Sequence, residues 1–145
     1  MPRTNGITSD DVGFLLAKAS QRFNTLLVAR FAGHGFAEVR ASYGSVLVPL
    51  FERDGRRLGD LAEASRLSKQ AMTGLVKQCE ADGLVLRDRD PVDGRAFNVR
   101  LSDRGRAFRA VAEEVLGQLD AELVSNVGAE DRDALVRALK GVIEL

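Results

Sequence analysis

The sequence predicts a mainly α-helical fold carrying one small β-hairpin, and three observations point to it. Long stretches at both ends repeat apolar residues at helical spacing. The middle holds two short apolar-periodic segments separated by only a few residues around Ser65, Arg66 and Leu67. Directly after them, two segments of alternating character flank Asp93-Gly94, a dipeptide that favours a tight hairpin turn. With 145 residues, 45% of them apolar, the chain can bury one ordinary core, and a charged fraction of 29% fits a folded domain.

Each element has a local cause. Thr8 and Asp11 have the spacing of a capping sequence, and Val12, Leu15, Leu16, Ala19, Phe23, Leu26 and Leu27 then recur on one helical face. A long first helix is therefore expected from about Asp10 to Arg30, stopping at Gly33, His34 and Gly35. A second is built on Tyr43, Val46, Leu47, Leu50 and Phe51, with a kink or shortening expected at Pro49. Arg53 to Arg56 read as a turn, and Leu58, Leu61 and Ala62 as a short helix. Ser68 is a good N-cap for a helix with Met72, Leu75, Val76 and Cys79 on one face, and Gly83 ends it. Leu84 to Arg89 form one strand and Phe97 to Leu101 the return strand. Ser102 caps a long helix repeating Phe108, Val111, Ala112, Val115, Leu119 and Leu123, and a last helix follows Gly128 with Leu135, Leu139, Val142 and Ile143.

Helix, tight turn, helix and hairpin in that order describe a winged helix-turn-helix. The predicted fold is thus mainly α with a small β-hairpin wing, plus N- and C-terminal dimerisation helices. Residues 1–35 and 103–145 would form the helical dimerisation region, and 36–102 the winged helix-turn-helix. The terminal helices are too long and apolar for one small wing domain to cover, so a homodimer is expected.

Composition narrows the function. The chain has no run of eighteen apolar residues and no hydrophobic signal region, which predicts a cytoplasmic protein without a membrane partner. One cysteine, Cys79, and one histidine, His34, leave no set for a structural zinc site or an internal disulfide, so no metal and no cofactor are expected. No phosphate-binding glycine loop or catalytic triad stands out, so no enzyme is predicted. The net charge is zero but unevenly spread: residues 53–106 hold 12 Lys/Arg against 9 Asp/Glu, whereas residues 107–145 hold 4 against 8.

The basic middle is where nucleic-acid chemistry is expected. If Met72, Leu75, Val76 and Cys79 face inward, Ser68, Lys69, Gln70, Thr73 and Lys77 face outward, offering an amide, hydroxyls and cations to bases and phosphates. Gln70 is the leading base contact. The hairpin adds Arg87, Arg89 and Arg95, with Arg95 beside the turn able to enter a narrow minor groove and Asp93 able to fix its guanidinium.

The stretch LGDLAEASRLSKQAMTGLVKQCEADGLVLRDRDPVDGRAFNVRLSDRG, from Leu58 to Gly105, resembles the core of the multiple-antibiotic-resistance regulator (MarR) family. Asp93-Gly94-Arg95 followed by Leu101, Ser102 and Gly105 is its most diagnostic part. The resemblance implies a homodimeric repressor of a palindromic operator, in many members released by a phenolic or anionic small molecule. His34, Arg40 and Tyr43 lie near where the family places its ligand cavity. Gly74 and Gly94 stand where relatives commonly carry cations, which supports the alternative of a winged-helix protein-interaction module that has lost specific DNA binding. Some relatives sense peroxides through cysteine near the first helix, but Cys79 lies on the apolar face of the recognition helix and reads as a small core hydrophobe.

Overall fold

The computed structural model describes residues 6–145, which form six α-helices and a three-stranded antiparallel sheet. Helix α1 spans Val12–Gly33, and a 3₁₀ turn at Ala41–Tyr43 leads into α2, Gly44–Glu52. Strand β1 is Arg56–Arg57, followed by α3 at Leu58–Ala64 and α4 at Lys69–Ala81. Strands β2, Val85–Arg89, and β3, Phe97–Leu101, form the wing, and α5, Asp103–Val127, and α6, Ala129–Ile143, complete the chain.

The predicted caps act as expected at two helices. Ser68 Oγ accepts the Ala71 N–H at 3.1 Å and starts α4, while Ser102 Oγ accepts the Gly105 N–H at 3.0 Å and starts α5. At α1 the geometry differs: Asp11 is the N-cap, and its carboxylate accepts the Thr8 N–H at 2.6 Å, so the Thr8/Asp11 pair folds the turn before the helix. The helix accordingly begins at Val12 and runs on to Gly33, three residues beyond the expected end.

Helix α2 continues through Pro49 to Glu52. Proline has no N–H, so the carbonyl four residues earlier, that of Ser45, loses its helical donor. The Ser65 hydroxyl replaces that donor at 2.5 Å and fastens the end of α3 to α2.

The sheet contains one strand more than expected. Residues 56 and 57, the first of them assigned to a turn by sequence, pair with β3 in the register Arg56↔Val99 and Arg57↔Asn98, giving the order β1-β3-β2. Strand β2 pairs with β3 from Val85↔Leu101 to Arg89↔Phe97, which fixes the hairpin.

The core joins α2, α3 and α4 to the sheet and to one face of α5. Val46, Leu47, Leu61, Met72, Val76 and Val99 are fully enclosed, and Phe108 of α5 meets the Phe31 ring edge-on with centroids 4.8 Å apart. Gly105 lets α5 cross the end of β2 closely: a Cβ there would stand 2.2 Å from the Leu84 carbonyl oxygen. The terminal helices are different. Phe31 is the one buried residue of α1, and α6 has none.

Candidate nucleic-acid interface

Helix α4 is fixed by its inner face. Met72, Val76 and Cys79 are buried, with Leu75 packed against the same core. The Cys79 thiol is pushed up to about 12 by burial and by the nearby Asp82 carboxylate, which keeps it a protonated core residue. Outward stand Ser68, Lys69, Gln70 and Lys77, all exposed. Thr73 is half-buried, and its hydroxyl donates to the Lys69 carbonyl at 2.8 Å, leaving it only lone pairs to offer a base. Just before the cap, Arg66 is the one described non-glycine residue with a left-handed backbone, φ 53°, and its guanidinium pairs with Glu144 at 2.6 Å.

The wing is organised around a carboxylate that sequence reasoning did not select. Asp90 is 7% exposed; its Oδ1 accepts the N–H groups of Val92 at 2.8 Å and Asp93 at 3.1 Å, and its Oδ2 accepts Arg57 Nε at 2.9 Å. The two backbone donors, followed by the Arg57 charge, hold its pKa below the ordinary carboxylate value. Strand β1 thereby anchors the wing tip through Arg57. A signal was present, because Asp before Pro91 initiates turns, but the partner on β1 is visible only in three dimensions.

The wing arginines divide by task. Arg87 is half-buried, with Nη2 3.1 Å from Glu80 and its guanidinium carbon 5.4 Å from the Phe97 ring centroid, so it ties the wing to α4. Arg89 Nη1 donates to the Gly94 carbonyl at 2.7 Å and braces the turn. Arg95 projects from the tip, 97% exposed, with Nε 3.8 Å from Asp93 Oδ1. Asp93 also accepts the Arg95 N–H at 3.0 Å, so it shapes the backbone that carries this arginine.

The three residues considered for a ligand differ in their surroundings. His34 is exposed at the end of α1 and Arg40 is exposed at the start of the 3₁₀ turn. Tyr43 is buried and donates its hydroxyl to Asp82 at the end of α4, with its pKa pushed up to about 12 chiefly by burial and then by that bond. An open groove of about 560 Å³ lies elsewhere, along α1, lined by Gln21, Asn24, Thr25, Val28 and Ala29. Among the described residues, no group of three or more His, Cys, Asp or Glu could hold a metal ion, and no helix is long and apolar enough to cross a membrane.

A short helix, a tight turn, a capped second helix with a polar outer face and an arginine-tipped hairpin define a winged helix-turn-helix protein. The MarR family model matches residues 41–97, which contain this unit as far as the start of β3. Over those residues the chain is similar to the MarR family. It is 33% identical over 94 residues to the uncharacterized HTH-type transcriptional regulator YdgJ of Bacillus subtilis (strain 168). That match covers 65% of this chain and 57% of the length of YdgJ. Its fold is similar to that of the transcriptional repressor CouR bound to a 23-mer DNA duplex, with a TM-score of 0.80 at 24% identity over 96% of this chain and 99% of that one. Bordetella bronchiseptica BpsR, whose structure addresses regulation of its DNA binding by 6-hydroxynicotinic acid, gives a TM-score of 0.81 at 23% identity, covering 97% and 99%.

Proposed function

We propose that the protein is a homodimeric transcriptional repressor that binds a palindromic operator through α4 and the wing. The observation that carries this reading is the exposed face of Ser68, Lys69, Gln70 and Lys77 on a helix whose other face is locked into the core. Gln70 is suited to a bidentate adenine contact, the lysines to phosphates, and Arg95 to the minor groove. Asp93, Arg89 and Arg87 act through the shape and seating of the wing, and Thr73 as an acceptor.

Dimerisation supplies the symmetry. Phe14 and Leu15 on α1 are about half exposed, as is Ile143 on α6, and Leu116, Leu135 and Leu139 are also exposed. A second copy covering these helices would remove that apolar surface from water and present two recognition helices to half-sites about 10 bp apart or a multiple of that. The likeness to BpsR supports an aromatic-acid effector, with Arg40 and His34 as candidate contacts. Tyr43 would then act indirectly, since its hydroxyl reaches Asp82 at the end of α4.

Fluorescence anisotropy with duplex DNA from upstream of the protein's own gene tests the proposal. Saturable, sequence-selective binding that weakens steeply with salt supports a repressor. Its absence at low salt supports a protein-interaction module, the reading favoured by zero net charge and by glycine at 74 and 94.

A further inference from the structure

Helices α1, α3 and α4 end in the same hydrogen-bonded turn. At α1 the Gly35 N–H donates to the Ala32 carbonyl at 3.0 Å and the Phe36 N–H to the Phe31 carbonyl at 2.9 Å. At α4 Gly83 donates to Glu80 at 3.0 Å and Leu84 to Cys79 at 2.9 Å, and at α3 Arg66 donates to Glu63 at 3.2 Å and Leu67 to Ala62 at 2.9 Å. This turn needs a residue in the left-handed region, which glycine enters without a steric penalty. Gly35 has φ 87° and Gly83 has φ 78°, whereas α3 holds an arginine at φ 53°.

Glycine would serve that backbone better, so a role for Arg66 is to be sought in its guanidinium. Its Nη2 meets Glu144 Oε1 at 2.6 Å, and Glu144 is the C-cap of α6. Helix α6 has no buried residue, and near its start Arg132 pairs with Asp120 of α5 at 2.7 Å. Its far end is thus tied to the turn of the helix-turn-helix. Beside Arg66, Ser65 fastens the same turn to α2, and Ser68 caps α4 two residues further on. The segment from which the recognition helix starts is gripped by both α2 and α6.

We infer that the Arg66–Glu144 pair is a strut that fixes the start of the recognition helix relative to α6, which makes Arg66 a positioning residue for operator binding. The inference rests on the DNA-binding reading above and deepens it. Helix α6 carries part of the apolar surface assigned to the second copy, so the strut links the dimerisation helices to α4 in each protomer. Two recognition helices read a palindrome when their spacing is held. Without the strut each lobe samples orientations that do not fit both half-sites, which lowers the competent fraction and the apparent affinity. Both side chains are more than half exposed, so the pair adds little to stability, and its effect is expected in the geometry of the dimer.

The alternative is that Arg66 meets a DNA phosphate directly and Glu144 competes for it. Removing the carboxylate then strengthens binding, whereas loss of a strut weakens it.

The experiment measures Tm and anisotropy Kd on the upstream duplex for the full-length wild type, Glu144→Gln, Arg66→Gly, Arg66→Glu and the double variant carrying Arg66→Glu with Glu144→Arg. A strut predicts binding weaker by about fivefold in Glu144→Gln, from two exposed pairs per dimer, with Tm within about 2 °C of the wild type. Arg66→Gly keeps the turn and drops the guanidinium, so it should bind as weakly at an equal or higher Tm. Arg66→Glu should bind more weakly again, and the double variant should recover most of the loss because the pair returns with its charges exchanged. Unchanged or tighter binding by Glu144→Gln, a Tm loss in step with the affinity loss, or a double variant no better than Arg66→Glu overturns the inference and leaves the repressor reading intact. Absence of saturable binding by the wild type at low salt overturns both.

Discussion

Gly105 shows how one residue can be required by packing alone. Its hydrogen occupies the space beside the Leu84 carbonyl, and the added methyl of Gly105→Ala would drive α5 away from β2. Overpacking against backbone predicts a loss of about 3 kcal/mol, read as a Tm lower by roughly 10 °C. Asp90 is required for a different reason, because its carboxylate gathers the wing tip and links it to β1. Asp90→Asn keeps the shape but loses the charge facing Arg57, so the Val92 and Asp93 amides should exchange faster and operator binding should weaken. Because the folded-state pKa of Asp90 is depressed, its stabilising contribution is present above the ordinary carboxylate value and is lost as pH falls through the lower folded value. Acid should therefore loosen the wild-type wing, and Asp90→Asn should be less sensitive to it, as wing amide protection followed from about pH 5 to below the ordinary carboxylate value would show. Each residue has one contact that is distant in sequence: Gly105 was legible as a motif position, but the carbonyl it faces and the Arg57 partner of Asp90 come from other segments.

At the scale of elements, legibility followed the range of the interaction. The caps at Ser68 and Ser102 were readable because each satisfies an N–H three residues away. The hairpin was readable from alternation, and the same alternation places Arg87 on the face of buried Val85, although its Glu80 partner could not be anticipated. Strand β1 was not readable, since two residues carry no periodicity and acquire strand geometry only from β3. Helix α2 illustrates a local rule overridden by a tertiary bond. Pro49 disrupts the helical ladder at Ser45, and the Ser65 hydroxyl from the neighbouring helix repairs it. Ser65→Ala would leave that carbonyl without its side-chain donor, at a predicted cost of about 1–2 kcal/mol in chemical denaturation.

For the whole molecule, the protomer contains a complete core but leaves its terminal helices with exposed apolar faces. Phe14, Leu15, Leu139 and Ile143 stay exposed among the described residues, which is the physical argument for a dimer. Sedimentation equilibrium should accordingly show a mass near twice the 15.7 kDa of the chain. A dimer would matter to the proposed function because one recognition helix reads few bases, whereas two related by symmetry read a palindrome at fixed spacing.

Operator binding by α4 and the wing can be read from a salt-dependent anisotropy titration that compares wild type with Arg95→Ala. Arg95 is almost fully exposed and, among the described residues, pairs with Asp93 at the same tip, so its removal should leave Tm unchanged. Wild type should show saturable, sequence-selective binding whose affinity falls linearly in log–log salt plots, and Arg95→Ala should bind more weakly by about tenfold. Equal affinity of the two proteins at physiological salt would contradict the role of the wing, and no saturable binding by wild type at low salt would contradict the claim as a whole.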